Sequence, residues 1–201
     1  MEDALDAILA NGNELHREIT GHILNSDMLV RVKPVSEVNA SGITGLIDPD
    51  ATNEKIEEER LNLREALGEV YSSIAEETID TGGQRGCEGT FVHEGRHAYD
   101  FALTIESFSN ADVNPLSLYD PTLYELEWEA HKISGDYMLC VDRDEYIQEG
   151  LGLMILGRKS EAEPCYVDDT GICTRLNNSY GLSLDGNEGP RASELLGLRQ
   201  K

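Results

Sequence analysis

The sequence predicts an α+β fold in which two long helices pack side by side against a small sheet. Three observations predict it. Apolar residues recur at helical spacing through much of the chain. The segment 28–33, MLVRVK, sets Leu29, Val30 and Val32 against the intervening Arg31 and Lys33, as a strand does. A lone strand is unstable in water, so at least two partners must come from segments around 40–48 and 78–90.

The elements follow in order. Residues 3–24 read as helix through Leu5, Ile8, Leu9, Leu15, Ile19 and Ile23, with Asn11-Gly12-Asn13 as the place for an interruption. Pro34 ends the strand or marks a sheet edge. Residues 36–51 are loop or short strand. A charged helix is then expected from about Thr52 to Ala75, with Ile56, Leu63, Leu67, Val70 and Ile74 as its stripe. Asp48, Asp50 and Glu59 depart from a calcium loop at Asn53 and Lys55, and read as capping acids. The run 81–86, TGGQRG, is a break, and a helix follows from about Thr90 to Phe108. Asp120 as N-cap with Pro121 at the first helical position opens the next helix, which runs to about Leu139 on Leu123, Leu126, Ala130, Ile133 and Tyr137. After Gly157 the chain turns Gly-, Asp- and Asn-rich. This divides it into a domain at 1–156 and a loosely structured extension at 157–201.

Composition narrows the function classes. A chain of 201 residues buries a sizeable core without disulfides. A formal net charge of −23 argues against nucleic acid or anionic membrane as a partner bound through bulk electrostatics. Such acidity serves solubility, or attracts basic partners and cations. No apolar run approaches the roughly 20 residues of a bilayer span. The acidic, amphipathic start does not read as a signal peptide. Cys87, Cys140, Cys165 and Cys173 contain no C-x-x-C pair, which speaks against a cysteine zinc site. Cys165 and Cys173 can bridge in an oxidising compartment, and all four suit a reducing one as thiols, so compartment and oligomeric state stay open.

Chemistry concentrates at His93-Glu94-Gly95-Arg96-His97. Two histidines four apart on a helix share a face, so both imidazoles reach one metal ion, most naturally Zn2+. A glutamate directly after the first histidine is rotated by about 100° and comes near the metal without ligating it, where it can act as general base. Apolar Phe91, Val92, Ala98, Phe101 and Ala102 surround the motif, as a buried helix requires, and His93, His97 and His131 all fall in this region. A catalytic zinc needs a third protein ligand and an open position. The later helix offers Glu125, Glu127 and Glu129, with His131 beyond them, and spacing alone does not choose among the glutamates. Tyr99, Tyr119, Tyr124 and Tyr137 are candidate oxyanion donors, and Asp100 is a candidate to orient His97.

The runs VHEGRHAYDF at 92–101 and ELEWEAH at 125–131 resemble the zincin metallopeptidases with a glutamate third ligand, the gluzincin arrangement. The layout over about residues 20–140 is similar to metallopeptidase domains of bacterial polymorphic toxins. The resemblance implies a zincin-like fold, a protein or peptide substrate, and Glu127 as third ligand, opening an E-x-x-A-(D/N) run. His131 stands where that run has an acid or amide, so a role as ligand or oxyanion donor opens for it. Delivery within a larger toxin-like protein joins the cytoplasm as an expected setting. The competing reading is a non-catalytic acidic interaction domain with a structural or vestigial metal site. A hydrolase of some non-peptide bond would use the same water-activating parts.

Overall fold

In the computed structural model, which describes residues 2–199, the N-terminal helix is divided at Gly12 into α1 (Glu2–Asn11) and α2 (Glu14–Leu24). Asn13 caps α2. Its side chain accepts from the His16 backbone N–H, and His16 Nδ1 accepts from the Asn13 N–H in return. An accepting Nδ1 leaves the proton on Nε2, which donates to the Ile133 carbonyl at 2.9 Å. Buried His16 is therefore a neutral clasp, and burial lowers its pKa.

A three-stranded mixed sheet follows. β1 (Leu29–Lys33) ends at Pro34 and forms one edge. The short α3 (Val35–Val38) leads to β2 (Gly42–Leu46), the other edge. The centre is β3 (Val70–Ala75), parallel to β1 and antiparallel to β2. Two expectations are corrected here. The helix read from Thr52 to Ala75 is α4 (Pro49–Glu58), α5 (Leu63–Gly68) and then β3. Val70 and Ile74 stand four apart, a step shared by one face of a helix and one face of a strand. An Asn62–Glu65 capping box starts α5 afresh. The segment 78–90 supplies no strand, because β3 takes that place.

α6 (Glu76–Ser109) leaves β3 directly and carries the histidine motif. The glycine-rich run is a kink, not a loop: Gly83 alone departs from helical backbone, at φ 59° and ψ −141°. The motif arm is buried on most of its faces, by Phe91, Val92, Ala98, Ala102, Ile105 and Phe108 among others. It packs against α1, α2, α5, β2 and β3, and against α7 (Leu123–Val141). Thr122 caps α7 and Glu125 completes the capping box, so the start lies two residues beyond the expected one. Asp120 instead accepts from the backbone N–H and the hydroxyl of Ser193, each at 2.9 Å.

The C-terminal region is ordered, against the expected loose cover. α8 (Asp144–Gly152) precedes β4 (Leu156–Gly157), which pairs with β5 (Tyr166–Val167); α9 (Asp169–Tyr180) and α10 (Ala192–Leu196) follow. A boundary after residue 156 runs through β4. The region has few apolar residues, but Ile172 and Leu176 lie one turn apart and are fully buried, in contact with the core that α7 joins. Cys165 and Cys173 are separate thiols. Among the described residues, no helix is long and apolar enough to cross a membrane.

Candidate metal centre

His93 and His97 stand one turn apart on α6, and Glu127 of α7 meets them. His97 Nε2 lies 3.2 Å from His93 Nε2. Glu127 Oε2 is 3.5 Å from His93 Nε2, and Oε1 is 3.5 Å from His97 Nε2. A tetrahedral zinc with bonds of roughly 2.0–2.2 Å has donor-to-donor edges of about 3.3–3.6 Å. The His93–His97 separation is within about 0.1 Å of such an edge, and each histidine stands 3.5 Å from a different oxygen of Glu127, so the three side chains converge within reach of one ion. Among the glutamates, Glu127 converges with the histidines. Glu129 lies 3.8 Å from Arg96 on a side chain 41% exposed, and Glu125 caps the helix.

The electrostatics suit a cation. Burial works against charge on Glu127, yet His93 and His97 outweigh it and hold the carboxyl well below the usual carboxylate range. Burial likewise opposes charge on His97, and the carboxylates of Glu127, Glu94 and Asp100 overcome it and raise its pKa. Glu127 Oε2 is buried with no hydrogen-bond donor among the described residues. A buried anionic oxygen without a donor, beside two imidazole nitrogens, is a donor set that zinc fits.

Glu94 is held apart from this triangle. Thr44 of β2 donates to Glu94 Oε2 at 2.7 Å, and Thr44 Oγ1 lies 2.8 Å from Ser72 Oγ on β3. The short charge-assisted contact takes the Thr44 proton, so Ser72 donates to Thr44. Thr44 and Ser72 are cross-strand partners, which fixes the relay to the sheet. Gly42 makes room for it: a Cβ there would stand 2.6 Å from Glu94 Cγ and 2.8 Å from Thr90 Cγ2. Glu94 Oε1 has no protein donor among the described residues. The carboxylate lines two clefts of about 310 and 380 Å³ that share His93 and Tyr180.

His131 stands beside the triangle. Its ring centroid is 4.8 Å from that of His93, and its Nε2 is 3.9 Å from Glu127 Oε2. Arg175 Nε donates to His131 Nε2 at 3.4 Å, and the Tyr180 hydroxyl lies at the same distance from it. A guanidinium only donates, so His131 Nε2 accepts and the ring is neutral. Burial, with His93 next, pushes its pKa down to about 3. With Nε2 engaged there, His131 is not one of the converging ligands.

Other expected partners lie elsewhere. Asp100 is fully buried but accepts from Arg96 Nε and the Tyr119 hydroxyl, each at 2.8 Å. Both of its oxygens are taken, and the buried Nδ1 of His97 has no hydrogen-bond partner among the described residues, so Asp100 does not orient His97 by a hydrogen bond. Tyr137 donates to buried Glu88 at 2.5 Å beside Tyr146 and does not face the centre. Tyr124 bonds Cys173, and the Tyr99 ring lies against His22. The phenol at the site is Tyr180, at the end of α9, in the region read as loose cover. Burial, then the nearby Glu127 carboxylate, pushes it up to about 12, so it keeps its proton. Set against known protein families, curated proteins and solved structures, the chain has no match.

Proposed function

We propose that this chain is a zinc-dependent hydrolase, specifically a metallopeptidase of zincin-like architecture. His93, His97 and Glu127 would hold the ion and Glu94 would be the general base. The observation that carries the reading is the convergence of His93, His97 and Glu127 within reach of one ion, with a carboxylate pinned beside them by a hydrogen-bond relay. Bound zinc would supply a Lewis acid for a carbonyl and lower the pKa of a coordinated water to about 7.

The residues divide the remaining work. Glu94 Oε1 takes the proton of the attacking water and returns it to the leaving amine. Thr44 keeps the other oxygen occupied and the carboxylate aimed. Tyr180, protonated and beside the centre, donates to the carbonyl oxygen as charge builds on it. β2 pairs with β3 on one side, and its residues 42–46 line the larger cleft, so its backbone offers an extended peptide a strand to pair with. That edge favours a polypeptide over other hydrolysable substrates. A structural metal site has no use for Glu94 or its relay, which weighs against a non-catalytic interaction domain.

Elemental analysis tests the first half: one zinc per chain, absent from a His93→Ala, His97→Ala double variant. Incubating both proteins with a peptide mixture tests the second. Cleavage should follow the zinc. Full occupancy in the double variant would put the metal elsewhere.

A further inference from the structure

The smaller cleft, of about 310 Å³, reaches from the metal centre along α6 and carries two arginines on its wall, Arg85 and Arg175. Arg85 is spent: its Nε lies 3.1 Å from Glu149 Oε2, and its Nη1 donates to the Glu145 carbonyl. Arg175 makes no ion pair among the described residues. Its one hydrogen bond runs from Nε to His131. Its Nη1 and Nη2 have no protein acceptor among those residues. What sets Arg175 apart is its place: it lines the cleft that also holds His93 and Glu94, with the ends of its guanidinium open to that cleft.

Its placement is firm. Ile172 and Leu176, both fully buried, flank it on α9 and fix that helix to the core. With Nε tied to His131, the planar fork is held by one edge and its two terminal amino groups remain for a ligand. That geometry matches both oxygens of a carboxylate. The lining of the cleft includes small residues, Ser41, Gly89 and Thr90 among them, which leaves room for a side chain.

We propose that Arg175 is a specificity residue that reads one carboxylate on a peptide substrate, beside the bond to be cut. The peptide nature of the ligand rests on the metallopeptidase reading above. The carboxylate is that of an Asp or Glu side chain or of a free C-terminus. The net charge of −23 repels polyacidic chains, so the fitting substrate carries this carboxylate in an otherwise neutral or basic sequence.

The test reads the side-chain Nε–H resonance of Arg175 by NMR, identified by its loss in Arg175→Lys. The zinc-loaded protein is titrated with three tripeptides: Ac-Ala-Glu-Ala-NH2, Ac-Ala-Ala-Ala-OH and Ac-Ala-Gln-Ala-NH2. A saturable shift with the first marks a side-chain carboxylate, and one with the second marks a C-terminus. The glutamine peptide should leave the resonance in place. No shift with any peptide, or equal shifts with all three, overturns the proposal. In a peptide-mixture digest, wild type should favour a carboxylate at one fixed position, and Arg175→Gln should lose about 10- to 100-fold of that preference. A protein that shows the shift yet cuts nothing keeps the subsite and loses the peptidase reading. One that cuts without a carboxylate preference and without a shift does the reverse.

Discussion

Glu127→Gln should separate metal binding from fold stability. The side chain is only 12% exposed, and its charge is held by ion-pair contacts to His93 and His97 while Oε2 lacks a donor. Glutamine keeps the shape and removes the charge. The variant also takes away the Glu127 carboxylate that favours a proton on His97, so the change leaves no stranded partner charge there. A buried ion pair with an unsatisfied oxygen gives little net stability. The metal-free variant should therefore unfold within about 1 kcal/mol of wild type, or slightly later. Zinc reverses the order. At a free concentration 100 times its dissociation constant, a ligand stabilises wild type by about 2.7 kcal/mol. For a chain of this length that is a rise of about 5–10 °C in melting temperature. Glu127→Gln should lose most of that rise, and Glu129→Gln, at an exposed position, should keep it. The assay is thermal unfolding with chelator and with buffered zinc. A Glu127→Gln protein that keeps the full zinc shift would refute the assignment. So would one that melts far lower without metal, since Glu127 would then be a structural tie.

Three further outcomes follow from the geometry. Gly42→Ala sets a methyl 2.6 Å from Glu94 Cγ, so the base must swing away. Zinc content should hold while turnover falls, by up to the roughly 10²–10⁴-fold that a general base supplies; unchanged turnover would show that Glu94 needs no fixed position. Tyr180→Phe should also keep zinc and lose about 10²-fold or more in turnover if the phenol serves the oxyanion. Wild-type turnover would leave Tyr180 as a ring beside His131. His16 has a folded-state pKa below the usual histidine value of about 6.5, chiefly through burial, with Asp136 and Arg17 nearby. Its contribution is full above that value and lost as pH falls from it toward the folded pKa. In urea titrations at pH 7.5 and 5.5, the stability advantage of wild type over His16→Gln should shrink at the lower pH. An advantage that grows would mean His16 is charged in the fold.

Much of this was legible in the sequence where a residue type dictates local geometry. The H-E-x-x-H spacing put two imidazoles on one face, and Pro34 marked the end of an edge strand. Legibility failed where one pattern serves two structures. Val70 and Ile74 satisfy helix and strand alike, so the central strand was hidden inside an apparent helix. Asp120-Pro121 looks like a helix start, but the Thr122–Glu125 box satisfies more backbone groups. The site's second layer was harder still. Thr44, Arg175 and Tyr180 reach Glu94 and His131 only through tertiary packing, and no spacing in the chain announces them. Two apolar residues one turn apart, Ile172 and Leu176, were the signal that the polar C-terminal region folds onto the core.

The most direct test of the account is Glu94→Gln, assayed for zinc and for turnover on the same sample. Glutamine keeps the Thr44 contact and the size, and removes the proton acceptor. The account predicts one zinc per chain, an unchanged melting temperature and a loss of about 10²–10⁴-fold in peptide cleavage. Cleavage at the wild-type rate would contradict the mechanism whatever the metal content, and loss of zinc would make Glu94 a ligand in place of a base.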